Sequence, residues 1–416
     1  MNQKICLLTN THISYNPRLL KEADALQEAD YDVRVVGINL DDSKWQLDQA
    51  LMAGRTWKLA LYDVRKTTLR GRIHWLRAGL RQRFYQRTAR LGWAALEKAY
   101  SRHSPELARL AAREPAELFI AHNLQALPAA AWAAKRTKAK LGFDAEDFHR
   151  GELLDRPENS EILRQTRSVE ERYIPRCTHL TAASDGIAEA YAKHIPVKRP
   201  LTVLNVFPLA ERAGQTPAAQ LASERQGTEL SLYWYSQLIG EDRGLDDAFG
   251  AVALLRNRVK LNLRGAIRES YARRLGERLK ALGIAGRVRI LPPVPPQELV
   301  ERATCHDVGL ALEAGETENR RVAVSNKLCA YLLAGLAVAA TDTPGQRGIL
   351  AGIPEAGFVY APGDARTLAD HLWQWLDNPA RLLAARAQAR KAAESRFCWD
   401  IEKSKLVSAV AQALQY

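Results

Sequence analysis

The stretch Ser325–Gly345, SNKLCAYLLAGLAVAATDTPG, constrains this chain more than any other. Polar Ser325-Asn326-Lys327 leads into an apolar run, Leu328–Ala334, which stops at Gly335. Leu336–Thr341 then resumes as a short buried-strand run, and Pro344-Gly345 marks a turn. A polar start followed by apolar residues at helical spacing predicts a helix whose first backbone N–H groups have no partner within the helix. Such an end binds phosphate through those donors and the helix dipole. The same residues also suit an ordinary helix–strand unit of a parallel sheet with a serine cap.

The rest of the chain has the same rhythm. Lys4–Thr9 reads as a buried strand, Asn10–Asn16 as a polar loop, and Arg18–Ala29 as a helix with Pro17 at its first position. Val33–Val36 is the next strand, which makes a βαβ opening with a loop where open parallel sheets hold ligands. No GxGxxG follows the first strand, which disfavours a dinucleotide dehydrogenase. Glu117–Ala121 reads as a third strand ending at His122-Asn123, and Lys140–Phe143 as a fourth. The acids and histidine after it, Asp144 to Glu152, occupy a plausible catalytic position, with Asp147 and His149 the candidates and Asp144 a helix cap. Leu209–Gly227 is polar without a clear period and reads as a linker. A second series follows, with Leu230–Tyr235 a strand, Ser236–Gly244 a loop, Leu245–Leu255 a helix, Asp307–Leu312 a strand and Glu313–Val324 a polar loop. The expected division is 1–208, a linker at 209–228, 229–396, and a last helix in 397–416.

A length of 416 residues with 47% hydrophobic content suits two domains with full cores. No apolar run approaches a membrane span. The opening MNQKICLLTN lacks a signal-peptide layout. The five cysteines are scattered without a CxxC pair, so a reducing cytoplasm is expected and no structural zinc. The formal charge of +13 implies an anionic partner: nucleic acid, acidic lipid or a phosphorylated substrate. Part of that charge is concentrated in Arg65–Arg90, where no acid falls between Asp63 and Glu97. Leu69, Ile73, Leu76, Leu80 and Phe84 repeat there at helical spacing, beside Trp75, Tyr85 and Trp93. That is the pattern of a membrane-surface helix, with Arg72, Trp75, Arg77, Arg81 and Phe84 as contacts. A helix packed on a sheet by its apolar stripe and an RNA-binding segment are the alternatives. Membrane contact ranks first because the aromatics accompany an aliphatic stripe instead of forming a separate stacking platform.

Several motifs together resemble the GT-B glycosyltransferases, especially the retaining family 4. Asn326-Lys327-Leu328, Ala334-Gly335-Leu336, Val338 and Thr341–Gln346 match that family's nucleotide-sugar site. Asn16-Pro17-Arg18 with Lys21-Glu22-Ala23 is similar to its opening NPR-x-x-KEA, and Ser184-Asp185-Gly186 to its S-x-G turn. Ser236–Gly244 resembles its G-R-x-x-x-x-K-G loop, with Gln237 at the Arg position and Arg243 at the Lys position. The resemblance implies an α/β fold of two Rossmann-like domains facing across a cleft, with a C-terminal helix crossing back to the first. It implies donor binding by Gln237, Arg243, Glu318, Asn319, Arg320, Ser325, Asn326 and Lys327, and an acceptor side with Arg18, Lys21 and His122. The family's paired glutamates are replaced by Val322 and Ala330. Its D-A-H-E turn reads Asp144-Ala145-Glu146-Asp147, with His149 further on.

The expected function is transfer of a sugar from a UDP- or GDP-linked donor to a lipid-linked or glycolipid acceptor in cell-surface polysaccharide synthesis. It would be retaining, with no metal and no cofactor beyond the nucleotide sugar. The expected place is the inner face of the cell membrane, on an anionic surface and without nucleic acid. A degenerate scaffold that binds a partner or membrane, and a sugar-nucleotide epimerase, are the alternatives.

Overall fold

The structure is a computed structural model and describes residues 2–88, 93–213, 229–241 and 243–415. It divides into two compact units, Met1–Val203 with Lys403–Tyr416, and Leu204–Glu402. Positions 214–228 of the expected linker lie outside the described residues, and Leu209–Ala213 before them forms a short 3-10 helix.

The first unit holds β1 (Lys4–Leu8), β2 (Asp32–Asn39), β3 (Lys58–Asp63), β4 (Leu118–His122), β5 (Lys140–Ala145), β6 (His179–Ala182) and β7 (Leu201–Thr202). They form one parallel sheet in the order β3-β2-β1-β4-β5-β6-β7. The second unit holds β8 (Leu230–Ile239), β9 (Val259–Ile267), β10 (Val288–Leu291), β11 (Val308–Ala311), β12 (Ala337–Thr341) and β13 (Gly357–Tyr360). Their order, β10-β9-β8-β11-β12-β13, repeats the first sheet's winding. In each sheet the order reverses beside the first strand of the unit. The crevice at the carboxyl ends of the strands on either side of that reversal is where such sheets place ligands.

Near-continuous apolar strands explain the central position of β1, β4, β11 and β12. Leu7 pairs with Val35 on one side and Ile120 on the other, and all three are fully buried. The last helix, Trp399–Gln415, adds Val410 to the first unit's core, and Lys140 Nζ donates to the Ala413 carbonyl at 2.7 Å. Within the second unit the Asn326–Ala334 helix ends on Gly335 at φ 74°, a left-handed conformation that favours glycine. Gly309 lets this helix lie close on β11, since a Cβ there would sit 2.1 Å from Tyr331 Cγ.

Three expectations are corrected. Glu117–Ala121 falls on the fourth strand, because Lys58–Asp63 is a partly exposed edge strand without the apolar run that marks the others. Ser236–Gly244 is not all loop, because β8 continues to Ile239 through an irregularity between Tyr235 and Leu238. Pro344-Gly345 opens the Pro344–Leu350 helix, whose first turn is capped by Thr343 accepting from Gln346 N–H.

Candidate donor site

In the second unit, the residues after β8, β11 and β13, together with Thr341 at the end of β12, surround an open pocket of about 880 Å³. Its lining includes Gly240, Glu241, Arg243, Gly244, Tyr271, Arg274, Arg278, Glu313, Glu316, Thr341 and Gly363. Gly244, at φ 68°, turns the chain from β8 into the Leu245–Leu255 helix and leaves Arg243 exposed. Among the described residues no carboxylate pairs with Arg243.

Glu313 lies just past β11, and its N–H donates to Thr341 Oγ1 at 2.8 Å. Its carboxylate accepts from Ser325 Oγ at 3.2 Å and stands 3.6 Å from Lys327 Nζ. Ser325 therefore does not cap its own helix: its hydroxyl turns to Glu313 and the helix start has no side-chain cap. Burial lowers the Lys327 pKa, Glu313 opposes that shift, and Arg243 and Arg320 add to it. Lys327 thus feels Arg243 and Arg320 as well as Glu313, while the pocket lining itself carries Arg243, Arg274 and Arg278 together with the acids Glu241, Asp246, Asp247, Glu313 and Glu316. Asn326 begins the helix beside Lys327, and Glu318, Asn319 and Arg320 lie on the short Glu318–Val322 helix before it. Gln237 lies exposed on the irregular part of β8 and does not line the pocket.

Glu313 was not singled out in the sequence, since it looked like one of several acids in a charged loop. Tyr271, Arg274 and Arg278, on the Glu269–Ala281 helix, belong to none of the motifs above. Their i, i+3, i+7 spacing, which puts them on one face, was the available signal. Glu241 pairs with Arg274 at 2.7 Å and Asp246 with Arg278 at 2.8 Å. Ala330, at the position of a family glutamate, is fully buried.

The corresponding place in the first unit is closed. Arg18 donates to both oxygens of Asp144, from Nε at 2.5 Å and Nη2 at 2.8 Å, and its Nη1 donates to the Val203 carbonyl at 2.7 Å. Thr181 Oγ1 donates to Asp144 Oδ1 at 2.5 Å. His122 Nε2 lies 3.0 Å from Glu22, and its Nδ1 lies 3.4 Å from Asp144 and 3.5 Å from Glu146. Burial lowers the His122 pKa, but Glu22, Glu146 and Asp144 outweigh it and lift the value to about 10. Burial raises the Asp144 pKa, and Arg18 and His122 reverse that to well below the usual carboxylate range. Arg18, Asp144 and His122 are thus neither cleft residues nor, for Asp144, a cap. Each is buried and matched by its own neighbours. Lys21 is half-buried on the same helix. Glu22, His122 and Asp144 are the one group of potential metal ligands among the described residues. Arg18 already supplies a cation to Asp144.

His149 Nε2 accepts from Leu124 N–H at 3.3 Å, so the neutral ring carries its proton on Nδ1, 2.5 Å from Glu152. Burial depresses this imidazole, but Glu152, Asp147 and Glu170 raise it overall. Asp147 is half-buried, and its carbonyl accepts from Tyr191 Oη at 3.1 Å.

Residues 230–378 match the family model described as "Glycosyl transferases group 1". The second unit carries a glycosyltransferase group 1 domain. Over 134 residues the chain is 30% identical to the D-inositol 3-phosphate glycosyltransferase of Thermobispora bispora, a match covering 32% of this chain and 29% of that protein. The matched stretch therefore spans under a third of that relative's length. The fold is similar to the Anabaena protein HepE in complex with UDP, with a TM-score of 0.71, 14% identity, and coverage of 98% and 100% of the two chains. It is also similar to sucrose-phosphate synthase from Thermosynechococcus elongatus, with a TM-score of 0.69, 14% identity, and full coverage of both, 100% and 100%. The chain has the α/β fold of the GT-B glycosyltransferases.

Proposed function

We propose that this protein transfers a sugar from a nucleotide-sugar donor to a lipid-linked or glycolipid acceptor, with retention of configuration, in cell-surface polysaccharide synthesis. The observation that carries the reading is the open pocket at the strand ends of the second unit, where Arg243 is exposed and has no carboxylate partner among the described residues. Breaking the sugar–phosphate bond puts negative charge on a leaving diphosphate, and fixed cations at that point lower the barrier. Arg243, Lys327 and Arg320 supply that charge without a metal ion. Glu313 holds Lys327 and Ser325 in place, and the uncapped helix start adds backbone donors. Binding of UDP and UDP-glucose by HepE is consistent with a UDP-linked donor. GDP is the other candidate base carrier. Asp147 and His149 are the acceptor-side candidates, and Lys21 lies in the same unit. The exposed apolar stripe and arginines of the Leu69–Thr88 helix favour an anionic membrane surface, at its cytoplasmic face, as the place of work.

The missing glutamates at Val322 and Ala330 favour a second reading, a scaffold that binds without catalysis. A thermal-shift screen with UDP, GDP, CDP, ADP and their sugar conjugates decides between them. One nucleotide should raise Tm by mass action, and Arg243→Ala should remove that shift while leaving the unliganded Tm unchanged. No shift at millimolar nucleotide would select the scaffold.

A further inference from the structure

A second cavity, of about 600 Å³, opens in the first unit against the edge strand β3, away from the sheet's switch point. Five arginines line it: Arg70, Arg77 and Arg81 from the Leu69–Thr88 helix, Arg109 from the Ser104–Ala111 helix, and Arg113 just beyond that helix. Its acids are Asp63 and Glu106. Arg65 pairs with both oxygens of Asp63 at 3.0 Å, and Arg81 pairs with both oxygens of Glu106 at 2.5 and 2.6 Å. Arg109 reaches Glu106 only at 3.9 Å. Arg70, Arg77 and Arg113 have no acidic partner among the described residues. The cavity's own carboxylates are thus already matched, and the remaining charge is positive. Tyr62 stacks on His74 at 4.7 Å to form one wall, and His74 Nδ1 lies 2.9 Å from the Asp63 carbonyl.

The helix that supplies three of the arginines is held by its other face. Gly71 and Ala78 are buried, Arg102 donates to the Trp75 carbonyl at 2.6 Å, and Gln82 donates to the Ala99 carbonyl at 3.0 Å. Trp75 lies between Lys66 and Arg102, each 4.4 Å from its ring. Trp75 and Arg81 are therefore internal fixings and not free membrane contacts, a correction to the sequence reading. Leu69, Ile73, Leu76, Leu80 and Phe84 point outward, 46–74% exposed. The alternative in which this stripe packs on the sheet is thereby excluded. At about 100° per residue, Arg70 and Arg77 fall on one flank of the stripe, two turns apart, while Arg72 and Arg83 fall on the opposite flank.

We propose that this cavity binds the phosphate of a membrane lipid headgroup while the apolar stripe beside it enters the lipid surface. The proposal rests on the membrane reading given above and adds a selective site to it. Arginines from two helices can present forked donors to the several oxygens of one phosphate, which a single carboxylate lipid cannot match. The stripe places acyl chains next to the phosphate, so a lipid fits this surface better than a soluble phosphate does.

Flotation with neutral-lipid vesicles made equally anionic by phosphatidic acid or by oleic acid tests this. The full chain should bind the phosphatidic acid vesicles roughly tenfold more tightly, the gain of one or two charge-assisted contacts. Arg109→Gln with Arg113→Gln removes two charges from the cavity and none from the stripe's helix, and should abolish the preference while keeping general binding. Arg72→Gln with Arg83→Gln removes the same charge from the far flank, and should weaken both kinds of binding while keeping their ratio. Equal binding of the wild type to both vesicles, or a preference that survives in the cavity variant, would overturn the headgroup site and leave the membrane reading standing. No binding to any vesicle would overturn both. A Tm increase with glycerol 3-phosphate that depends on Arg109 and Arg113, without any vesicle preference, would make the ligand a soluble phosphate and reject the lipid.

Discussion

The two sheets wind alike, yet the crevices at their strand ends are finished differently. In the first unit His122 and Asp144 at the strand ends meet Arg18 and Glu22 of the Pro17–Glu28 helix, all buried and paired with one another. In the second the strand ends surround a pocket in which Arg243 stands exposed, with no carboxylate paired to it among the described residues. The same topological position can thus be closed by internal charge pairs or left open with an arginine exposed to a ligand. Which of these happens depends on which charges meet within hydrogen-bond reach, and not on the strand order. An arginine in the first setting is matched within the fold, and in the second it is exposed.

The sharpest test exchanges a side chain in each setting. Arg18→Ala leaves Asp144 buried without its cation, and loss of one partner of a buried pair costs about 3–5 kcal/mol. Urea denaturation should show that loss, and a loss under about 1 kcal/mol would mean water already reaches the pair. Arg243→Ala should leave the denaturation curve in place and weaken diphosphate binding at least roughly tenfold, which calorimetry would read. If Arg243→Ala instead destabilises the protein, the contrast between the two crevices fails.

The pH dependence of stability gives a finer test. The buried His122 imidazole is raised from its ordinary value of 6.5 to about 10, so the folded state holds a proton that the unfolded state releases between those limits. Its contribution is fully present below pH 6.5 and is lost as pH rises through about 10. The denaturation midpoint of the wild type should fall across that window, and His122→Asn should flatten the slope. A wild-type midpoint that stays level would show His122 to be neutral. The smallest effect expected is that of Ser325→Ala. It removes one hydrogen bond to Glu313, worth about 0.5–1.5 kcal/mol, and should lower nucleotide affinity only severalfold.

Much of the fold could be read from the sequence, because parallel strands buried on both faces leave apolar runs such as Leu336–Thr341 and Lys4–Thr9. Lys58–Asp63 escaped because an edge strand is half-exposed and carries no such run. Of the residues that spacing singled out, Arg243 lines the pocket, and Asn326-Lys327 open the helix whose lysine meets Glu313. Glu313 itself was not readable, since its importance comes from Ser325 and Lys327 meeting it across a loop. Gln237 shows the opposite case: its position in a motif suggested a phosphate contact, and it lies exposed at a strand irregularity, outside the pocket lining.

By itself the sequence determined the doubly wound units, the helix start at Ser325–Lys327, and the amphipathic run from Leu69 to Phe84. These are local properties, set by the periodicity of apolar residues and by glycine and proline positions. Only the tertiary structure decided which charges are matched. Whether Arg18, Arg81 or Arg243 has a carboxylate beside it depends on residues up to 126 positions away in the chain, and an arginine's chemistry changes entirely with that answer.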